Sequence, residues 1–318
     1  MEIISIHSKK KDYKVIIDKS INDLIEKELN KETNYFIVLD SKLVEEYYEF
    51  LTKTLPNSNI YIVEGGEEAK SLETYEKVIS EMLSVKVSKK DTIMAFGGGT
   101  IGDLVGYIAA TYKRGINFIN VATTTLAAVD ASIGGKNALN VGDVKNAIGT
   151  INPPDKVLIG LDTLSLLDKK DFNNGLYEAL KTGIILDKEI FDLFKNEKER
   201  TELEQIIVKS INAKKQVVEK DEDNTGYRNI LNYGHTIGHA LESFTMFDLK
   251  HGEAVANGML FMARNTPFEK DLKAILERMK CPIINKCQNI HELLEFIQND
   301  KKADGDFVDL IIATDLEK

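Results

Sequence analysis

Residues 92–111 read TIMAFGGGTIGDLVGYIAAT, and this stretch decides the fold class. The β-prone run Thr92–Phe96 precedes a cluster of glycines, and apolar residues at helical spacing follow it. Gly97, Gly99 and Gly102 match G-x-G-x-x-G, a spacing at which backbone N–H groups at a helix N-terminus can hold a pyrophosphate. A strand, a glycine turn and a helix in this order predict one unit of an α/β sheet.

The same alternation of strands and helices extends over the N-terminal half of the chain. Strands are predicted at Ile3–His7, Tyr13–Ile17, Tyr35–Asp40, Ile60–Val63, Thr92–Phe96 and Asn117–Val121, with helices near 20–29, 41–53, 70–85 and 99–111. This rhythm predicts a sheet with substantial parallel content that is flanked by helices.

The C-terminal half has a different pattern. After Asn152-Pro153-Pro154 and a short strand at Lys156–Ile159, helical periodicity dominates. Helices are predicted near 171–195, 199–220, 228–243, 251–264, 267–280 and 289–299, and a last strand at Phe307–Ile312. We therefore predict an α/β nucleotide-binding domain over residues 1–155 and a mostly helical, all-α C-terminal domain over residues 156–318.

Composition narrows the range of partners. The 318 residues carry a net charge of −10, which disfavours nucleic acid and anionic membranes as binding partners. No apolar run approaches the roughly 20 residues of a membrane span. The first residues, MEIISIHSKKKDYK, lack the apolar segment of a signal peptide, so we predict a cytoplasmic protein.

The glycine turn departs from an ordinary dinucleotide-binding unit in two respects. It follows a late strand, and no acidic residue ends the next strand. Considered without other residues, the glycines could therefore form a tight turn with only a structural role instead of a dinucleotide-binding turn. Asp40 ends an earlier strand and can hold ribose hydroxyls, while Glu67 and Lys70 add an acid and a base one helical turn apart. Together these residues favour a dinucleotide that is bound in a different way.

Three of the five histidines lie in residues 228–251, RNILNYGHTIGHALESFTMFDLKH. His235 and His239 are four residues apart and share one helix face, so their spacing alone makes both candidate metal ligands. His251 follows nearby, and Glu178 on another predicted helix offers a carboxylate. Imidazoles and one carboxylate with an open position suit catalytic Zn²⁺ or a similar divalent ion. HTIGH lacks the glutamate of H-E-x-x-H, which disfavours a zincin protease.

Cations among glycines and small polar residues stand out in an acidic chain. Each one alone is typical of a solvated surface, but their shared surroundings favour recognition of a small substrate that carries phosphate and carboxylate. The cations are Arg114, Lys136, Lys145, Lys181, Lys214 and Arg228, and Asp130 and Asn146 accompany Lys136 and Lys145.

The ordered motifs resemble one family. GGEEAK, GGGTIGDLVGYIAATYKRG, TTTLAAVDASIGGKNALN, KNAIG, GLYEALKTGIILD, RNILNYGHTIGHALE and HGEAVANGM, over about Gly65–Met259, are similar to the 3-dehydroquinate synthases of the shikimate pathway. The resemblance implies an N-terminal α/β NAD domain, a C-terminal helical metal domain with Zn²⁺ or Co²⁺, and a homodimer.

The resemblance also implies a role for each matching residue. The metal ligands would be Glu178, His235 and His251, and His239 would contact substrate instead of the metal. NAD would be held by Asp40, Glu67, Lys70, Gly98, Gly99, Thr100, Asp103, Thr123 and Thr124. The substrate would meet Asp130, Lys136, Asn146, Lys181, Lys214, Arg228 and Asn232, with Lys145 beside them; Lys136 and Lys145 also border the cofactor. Arg114 would reach the phosphate of a neighbouring subunit's substrate, and Lys301 would be a late phosphate-binding lysine.

The implied reaction converts 3-deoxy-D-arabino-heptulosonate 7-phosphate into 3-dehydroquinate and phosphate. NAD⁺ would transiently oxidise the C5 hydroxyl while the metal polarises its oxygen. The resulting ketone would acidify C6–H, so that phosphate leaves by β-elimination; the hydride then returns and an intramolecular aldol step closes the ring.

Some positions depart from the family pattern, and several rivals stay open. Lys42 stands where the family has Asn, and Asn224 stands where it has Glu. An aminodehydroquinate synthase, a 2-deoxy-scyllo-inosose synthase, a metal-dependent polyol dehydrogenase and a non-catalytic binding protein are the alternatives. The inosose synthases carry Glu at the position of Asn232, so Asn232 with Arg228 and Lys214 favours a carboxylated substrate.

Overall fold

The computed structural model describes residues 1–142, 144–245, 248–284, 303–304, 307–308 and 310–318. The chain divides into two compact units, Met1–Asp168 and Lys169–Lys318. The first unit extends beyond the boundary predicted at residue 155, because the strand Lys156–Gly160 pairs with two strands of its sheet.

The first unit is built on a mostly parallel sheet. Its strands, with those of a separate hairpin, are β1 Glu2–Ile6, β2 Tyr13–Asp18, β3 Tyr35–Asp40, β4 Ser58–Val63, β5 Thr92–Gly97, β6 Asn117–Ala122, β7 Lys136–Val141, β8 Val144–Ile151 and β9 Lys156–Gly160. The described residues form a seven-stranded sheet in the order β1-β2-β9-β6-β5-β3-β4. Only β1 and β2 pair in antiparallel fashion within it, which confirms the predicted parallel content.

The central strands are buried on both faces, as parallel sheets require. Every residue of β5 is buried. Its side chains alternate: Ile93 and Ala95 pack into the core on one face, and Met94 and Phe96 pack into the core on the other. A strand that is covered on both sides reads as a continuous apolar run, which explains why TIMAF was recognisable in the sequence.

The helices of the first unit begin where the sequence supplies caps. They are α1 Ile21–Glu28, α2 Val44–Thr54, α3 Leu72–Ser84, α4 Gly99–Thr111 and the short α5 Leu161–Leu164. Ser20 and Ser71 cap α1 and α3 by accepting hydrogen bonds from Asp23 N–H and Thr74 N–H. The helix α4 has the bounds predicted from the glycine turn and the apolar repeat behind it.

The hairpin β7–β8 packs against α4. Its register shifts between Leu139 and Val141, so Asn140 lies at an irregularity of the pairing. Isolated residues of this kind bend a strand and redirect a side chain.

The second unit is mostly helical. Its elements are α6 Lys169–Ile185, α7 Lys188–Lys195, α8 Leu203–Lys220, α9 His235–Phe244, α10 His251–Met262 and α11 Glu269–Arg278, followed by β10 Ala303–Asp304 and β11 Phe307–Val308. The helix predicted at 289–299 lies outside the described residues. No helix in the described ranges has both the length and the apolar character that a membrane crossing requires.

Two predicted helices of this unit are each divided. The one at 171–195 breaks before Asp187, whose carboxylate accepts the Glu189 N–H and caps α7. The one at 228–243 becomes a 3₁₀ segment, Tyr227–Asn232, followed by α9. Gly234 has a φ of 76°, a left-handed conformation that interrupts the helical path between them.

Candidate active site

In the first unit, the predicted cofactor residues gather at the carboxyl ends of the parallel strands. The chain leaves β3 for the edge strand β4, whereas it leaves β5 for β6 on the opposite side. The ends of β3 and β5 therefore form a topological switch point, the usual ligand-binding place of such sheets. Asp40 ends β3, and Gly97 ends β5.

The contacts at this edge are close. A Cβ at Gly65 would lie 2.1 Å from Asp40 Oδ2, so the loop after β4 can approach Asp40 only as glycine. Gly98 is the N-cap of α4 and offers no capping side chain, which leaves the first N–H groups of that helix for a ligand. A Cβ at Gly98 would lie 2.9 Å from Thr124 Cγ2, and Thr123 N–H donates to Gly97 O at 3.0 Å.

Several predicted residues thus lie together beside the glycine turn. Thr100 accepts a long hydrogen bond of 3.4 Å from Gly66 N–H. Lys42, which departs from the family pattern, donates its backbone N–H to Asp40 Oδ1 at 3.1 Å while its side chain is exposed. The substitution therefore leaves the backbone contact with Asp40 in place.

Lys70 is the buried cation of the first unit's site, with 5% exposure. Its Nζ lies 2.6 Å from Asp103 Oδ2, 2.6 Å from Asn146 Oδ1 and 3.7 Å from Glu67 Oε1. The sequence predicted Lys70, Glu67 and Asp103 as cofactor residues and Asn146 as a substrate residue. The structure brings all four into one polar network.

The other predicted residues of the first unit lie on turns and on the hairpin. Asp130 is half-buried on a π-helical turn, Ala127–Ala131, an element common at functional sites that the sequence did not predict. Lys136 and Lys145 lie on β7 and β8. Arg114 is exposed and has a φ of 62°, on a turn after α4.

In the second unit, three helices bring the predicted metal ligands together. Glu178 lies on α6, His235 is the first residue of α9, and His251 is the first residue of α10. Glu178 Oε1 lies 3.5 Å from His235 Nε2 and 3.4 Å from His251 Nε2. One candidate ligand atom from each residue falls within 4.8 Å of the others, a group that could hold a metal ion.

The donor set fits a divalent cation. Both carboxylate oxygens of Glu178 are buried; Oε1 faces the two imidazoles, and Oε2 faces Lys181. Burial opposes ionisation of this carboxyl, but neighbouring positive charge, that of Lys181 foremost, outweighs it and holds the pKa of Glu178 well below its usual range. An ionised, buried carboxylate between two imidazoles is a ligand set that catalytic Zn²⁺ uses.

Hydrogen-bond partners orient the two imidazoles. His235 Nδ1 lies 3.2 Å from Tyr233 O, so Nδ1–H donation leaves the Nε2 lone pair facing Glu178. His251 Nδ1 lies 3.5 Å from Glu242 Oε2, which is a carboxylate that sequence reasoning missed. Burial alone would lower the pKa of His251, but hydrogen bonds with Glu178 and Glu242 raise it to about 10. A metal at this imidazole must displace that proton, so metal affinity should rise with pH.

His239 lies beside this group of three residues. Its ring centroid is 5.5 Å from that of His235 and 5.9 Å from that of His251. It forms a second possible group with Glu242 and His251. The two candidate groups share His251, and the assignment of His239 to the substrate stays a prediction.

Close packing of α9 against α10 sets the ligand spacing. A Cβ at Gly258 on α10 would lie 2.0 Å from Gly234 O, and one at Gly238 on α9 would lie 3.1 Å from Val255 N. The helices therefore meet backbone to backbone. This approach places His235 and His251 at adjoining helix starts, with ring centroids 5.3 Å apart.

Three predicted cations of this unit are buried: Lys181 at 2% exposure, Arg228 at 4% and Lys214 at 7%. Lys181 Nζ lies 2.5 Å from Glu178 Oε2. Because lysine and arginine are rarely buried and often mark a functional site when they are, these three side chains are candidates for anion recognition.

The loop before Arg228 is fixed by Asp221, another residue that sequence reasoning missed. The Asp221 carboxylate accepts backbone N–H groups of Thr225, Gly226 and Arg228 at 2.8–2.9 Å. Arg228 Nη1 then donates to Glu222 O at 3.1 Å. Asn232 is half-buried at the end of the 3₁₀ segment, and Lys301 lies outside the described residues.

Comparisons with known proteins place both halves of the chain in one family. Residues 60–174 match the 3-dehydroquinate synthase N-terminal family, and residues 175–303 match the 3-dehydroquinate synthase C-terminal family. The 3-dehydroquinate synthase of Picrophilus torridus is 42% identical over 80% of this chain and 77% of its own length. That of Clostridium kluyveri is 37% identical over 98% of this chain and 92% of its own.

Among solved structures, a 2-deoxy-scyllo-inosose synthase complexed with carbaglucose-6-phosphate, NAD⁺ and Co²⁺ superposes with a TM-score of 0.85 at 25% identity, covering 100% of this chain and 93% of that one. A 2-epi-5-epi-valiolone synthase from Streptomyces hygroscopicus with NAD⁺ and Zn²⁺ bound has the same fold, with a TM-score of 0.83 at 22% identity over 92% of this chain and 87% of that one. The fold predicted from the sequence is thus confirmed, and the two family matches show that the chain belongs to the 3-dehydroquinate synthase family.

Proposed function

We propose that this protein is a 3-dehydroquinate synthase, a phosphate-eliminating cyclase that uses NAD and a divalent metal. It converts 3-deoxy-D-arabino-heptulosonate 7-phosphate into 3-dehydroquinate and phosphate. The observation that carries the proposal is the buried Glu178 carboxylate with His235 and His251 on one side and Lys181 on the other. This group combines a metal ligand set with positive charge for an anionic substrate.

The two units contribute different residues to the chemistry. When bound, NAD accepts and returns a hydride, and the metal polarises the alcohol oxygen that is oxidised. In the first unit, Asp40, the Gly98–Asp103 turn and Thr123-Thr124 hold the dinucleotide. In the second unit, Glu178, His235 and His251 hold the metal.

The remaining residues bind and orient the substrate. Arg228 presents a planar guanidinium that suits a carboxylate, and the Asp221 loop keeps it in place before substrate arrives. Lys181 and Lys214 add buried positive charge, which is worth more in a site that excludes water than at the surface. His239 is half-buried beside the metal group and is placed to hold or move a proton at a substrate hydroxyl.

The hairpin and the turns of the first unit carry further residues that we assign to substrate binding. Asp130, Lys136, Lys145 and Asn146 are the first unit's substrate residues, and Lys136 and Lys145 also border the cofactor. We further expect Zn²⁺ or Co²⁺ as the metal, a cytoplasmic location, and a homodimer in which Arg114 serves the neighbouring subunit's substrate. Metal analysis of the purified protein and sedimentation equilibrium test the metal and the dimer.

The direct test is a phosphate-release assay. Purified protein with NAD⁺ and Zn²⁺ or Co²⁺ should release phosphate from the heptulosonate phosphate without net accumulation of NADH. Absence of phosphate release would reject the proposal. Steady NADH formation would instead indicate a polyol dehydrogenase, because only that reaction leaves the hydride on the cofactor.

A second candidate is another sugar-phosphate cyclase, favoured by the superposition on the inosose synthase. Glucose 6-phosphate, the sugar that carbaglucose-6-phosphate mimics, serves as its test substrate in the same assay. Asn232 and the buried Arg228 favour the carboxylated heptulosonate. Turnover of glucose 6-phosphate at a higher kcat/KM would reverse that preference.

A further inference from the structure

Four polar residues of the first unit form a closed ring through their side chains and one backbone N–H. Lys70 Nζ donates to Asn146 Oδ1 at 2.6 Å, and Asn146 N–H donates to Asn140 Oδ1 at 2.8 Å. Asn140 Nδ2 donates to Glu67 Oε1 at 2.9 Å, which lies 3.7 Å from Lys70 Nζ. Each member therefore contacts two others, and the ring is anchored at its buried end by Lys70.

Asn140 occupies a fixed place in this ring. Its backbone N–H donates to Lys70 O at 2.7 Å, and it forms an isolated bridge with Ser71. It also lies where the β7–β8 register shifts, an irregularity of the kind that can redirect a side chain. One neighbour is an N–H donor and the other is a carboxylate, so the orientation of its amide is determined by both.

Asn146 needs such support because of its backbone. Its φ is 51°, a left-handed conformation that side chains other than glycine adopt at a cost, although asparagine tolerates it better than most. The N–H of that strained residue points at Asn140 Oδ1. Conformations of this kind persist only where surrounding contacts hold them.

We propose that Asn140 is a positioning residue that couples dinucleotide binding to substrate binding. Its amide N–H orients Glu67 on the cofactor side, and its carbonyl oxygen holds Asn146 on the substrate side. This inference rests on the proposed function, from which the roles of Glu67 and Asn146 come. Its consequence is that each ligand tightens the binding of the other through Asn140, by the same factor in both directions.

The test measures that factor directly. NAD⁺ affinity is determined by calorimetry with and without the phosphonate analogue of the heptulosonate phosphate, whose C–P bond cannot be eliminated. In the wild type the analogue should lower the NAD⁺ Kd by about fivefold or more, the lower range of measured couplings. In N140A the ratio should fall below about twofold, and the analogue alone should bind more weakly because Asn146 loses its support.

A second variant separates the two hydrogen bonds of the Asn140 side chain, one with Glu67 and one with Asn146. N140D keeps an oxygen for the Asn146 N–H but places a carboxylate against Glu67. The analogue alone should therefore bind N140D as it binds the wild type, while the coupling to NAD⁺ is lost. N59A, on the exposed edge strand β4, is the control and should leave both affinities and the coupling unchanged. If N140A does not fold, the coupling in N140D decides the question.

Three results would overturn the proposal: a wild-type ratio below twofold, an unchanged ratio in N140A or N140D, or equal loss of analogue affinity in both variants. Failure of the proposed function is a separate outcome, because it would appear in the wild type as absent phosphate release. A protein that turns over the heptulosonate phosphate yet keeps its coupling in N140A would refute the role of Asn140 alone.

Discussion

The crossing of α9 and α10 gives the sharpest prediction, through Gly258→Ala. A Cβ at Gly258 would lie 2.0 Å from Gly234 O, whereas real Cβ atoms essentially never come closer than 3.0 Å to another heavy atom. The two helices must therefore separate by about 1 Å at this point. His235 directly follows Gly234, and His251 begins the helix that carries Gly258.

The magnitude follows from the tolerance of metal sites. Ligand distances in a working site hold to about 0.2 Å, so a shift of about 1 Å between two imidazoles exceeds that tolerance. Disturbing the residues that orient ligands costs about tenfold to a hundredfold in metal affinity, which is about 1.4–2.8 kcal/mol. The extra methyl group should also lower the free energy of unfolding by about 1–3 kcal/mol through overpacking.

The assay is zinc binding by competition with a chromophoric chelator, together with urea unfolding of the metal-free protein. Gly160→Ala is the matched control, because its Cβ would lie 2.6 Å from Ile21 N in the first unit, and none of the predicted metal ligands lies in that unit. Both variants should lose stability, but only Gly258→Ala should lose zinc affinity. Zinc affinity of Gly258→Ala within twofold of wild type, despite lower stability, would refute the idea that this crossing sets the ligand geometry.

Three further predictions concern single side chains. His235→Ala should lose bound metal, whereas His239→Ala should keep it and lose turnover; equal metal loss, measured by elemental analysis, would make His239 a ligand. Glu242→Gln should weaken zinc binding about tenfold to a hundredfold in the same chelator assay, because the imidazole that it faces loses an orienting carboxylate. Backbone N–H donors, that of Arg228 foremost, lower the pKa of Asp221. The ionised Asp221 carboxylate therefore stabilises the fold above its unfolded pKa of about 3.9, and this stabilisation is lost as the pH falls toward the lower pKa of the folded state. Urea unfolding at several pH values should show that Asp221→Asn destabilises the protein less and less below about pH 4.

The first unit was largely readable from the sequence. Tyr35–Asp40 and the helix Gly99–Thr111 have the predicted bounds, because a doubly covered strand and an apolar helix after a glycine turn each leave a strong local pattern. The position of Lys156–Gly160 in the middle of the sheet was not readable, since strand order depends on crossovers between distant segments.

The sequence predicted the residues of the candidate site better than it predicted the contacts between them. Family motifs identify Glu178 and His251, but the contacts of Glu242 and Asp221 depend on tertiary packing that no local pattern encodes. Asn140 escaped notice for the same reason: an asparagine outside every predicted strand carries no signal until the hairpin register brings it to Glu67 and Asn146.

The structure between Arg228 and His251 suggests a test of whether the proposed metal and anion functions respond separately to mutation. A continuous helix would have held Arg228 and His235 in one rigid element, but Gly234, in a left-handed conformation, separates their two segments. Arg228 takes its position from the Asp221 loop, whereas His235 takes its position from the packing of α9 on α10. Changes in the loop should therefore alter anion recognition without moving the metal ligands, and changes at the helix crossing should do the reverse.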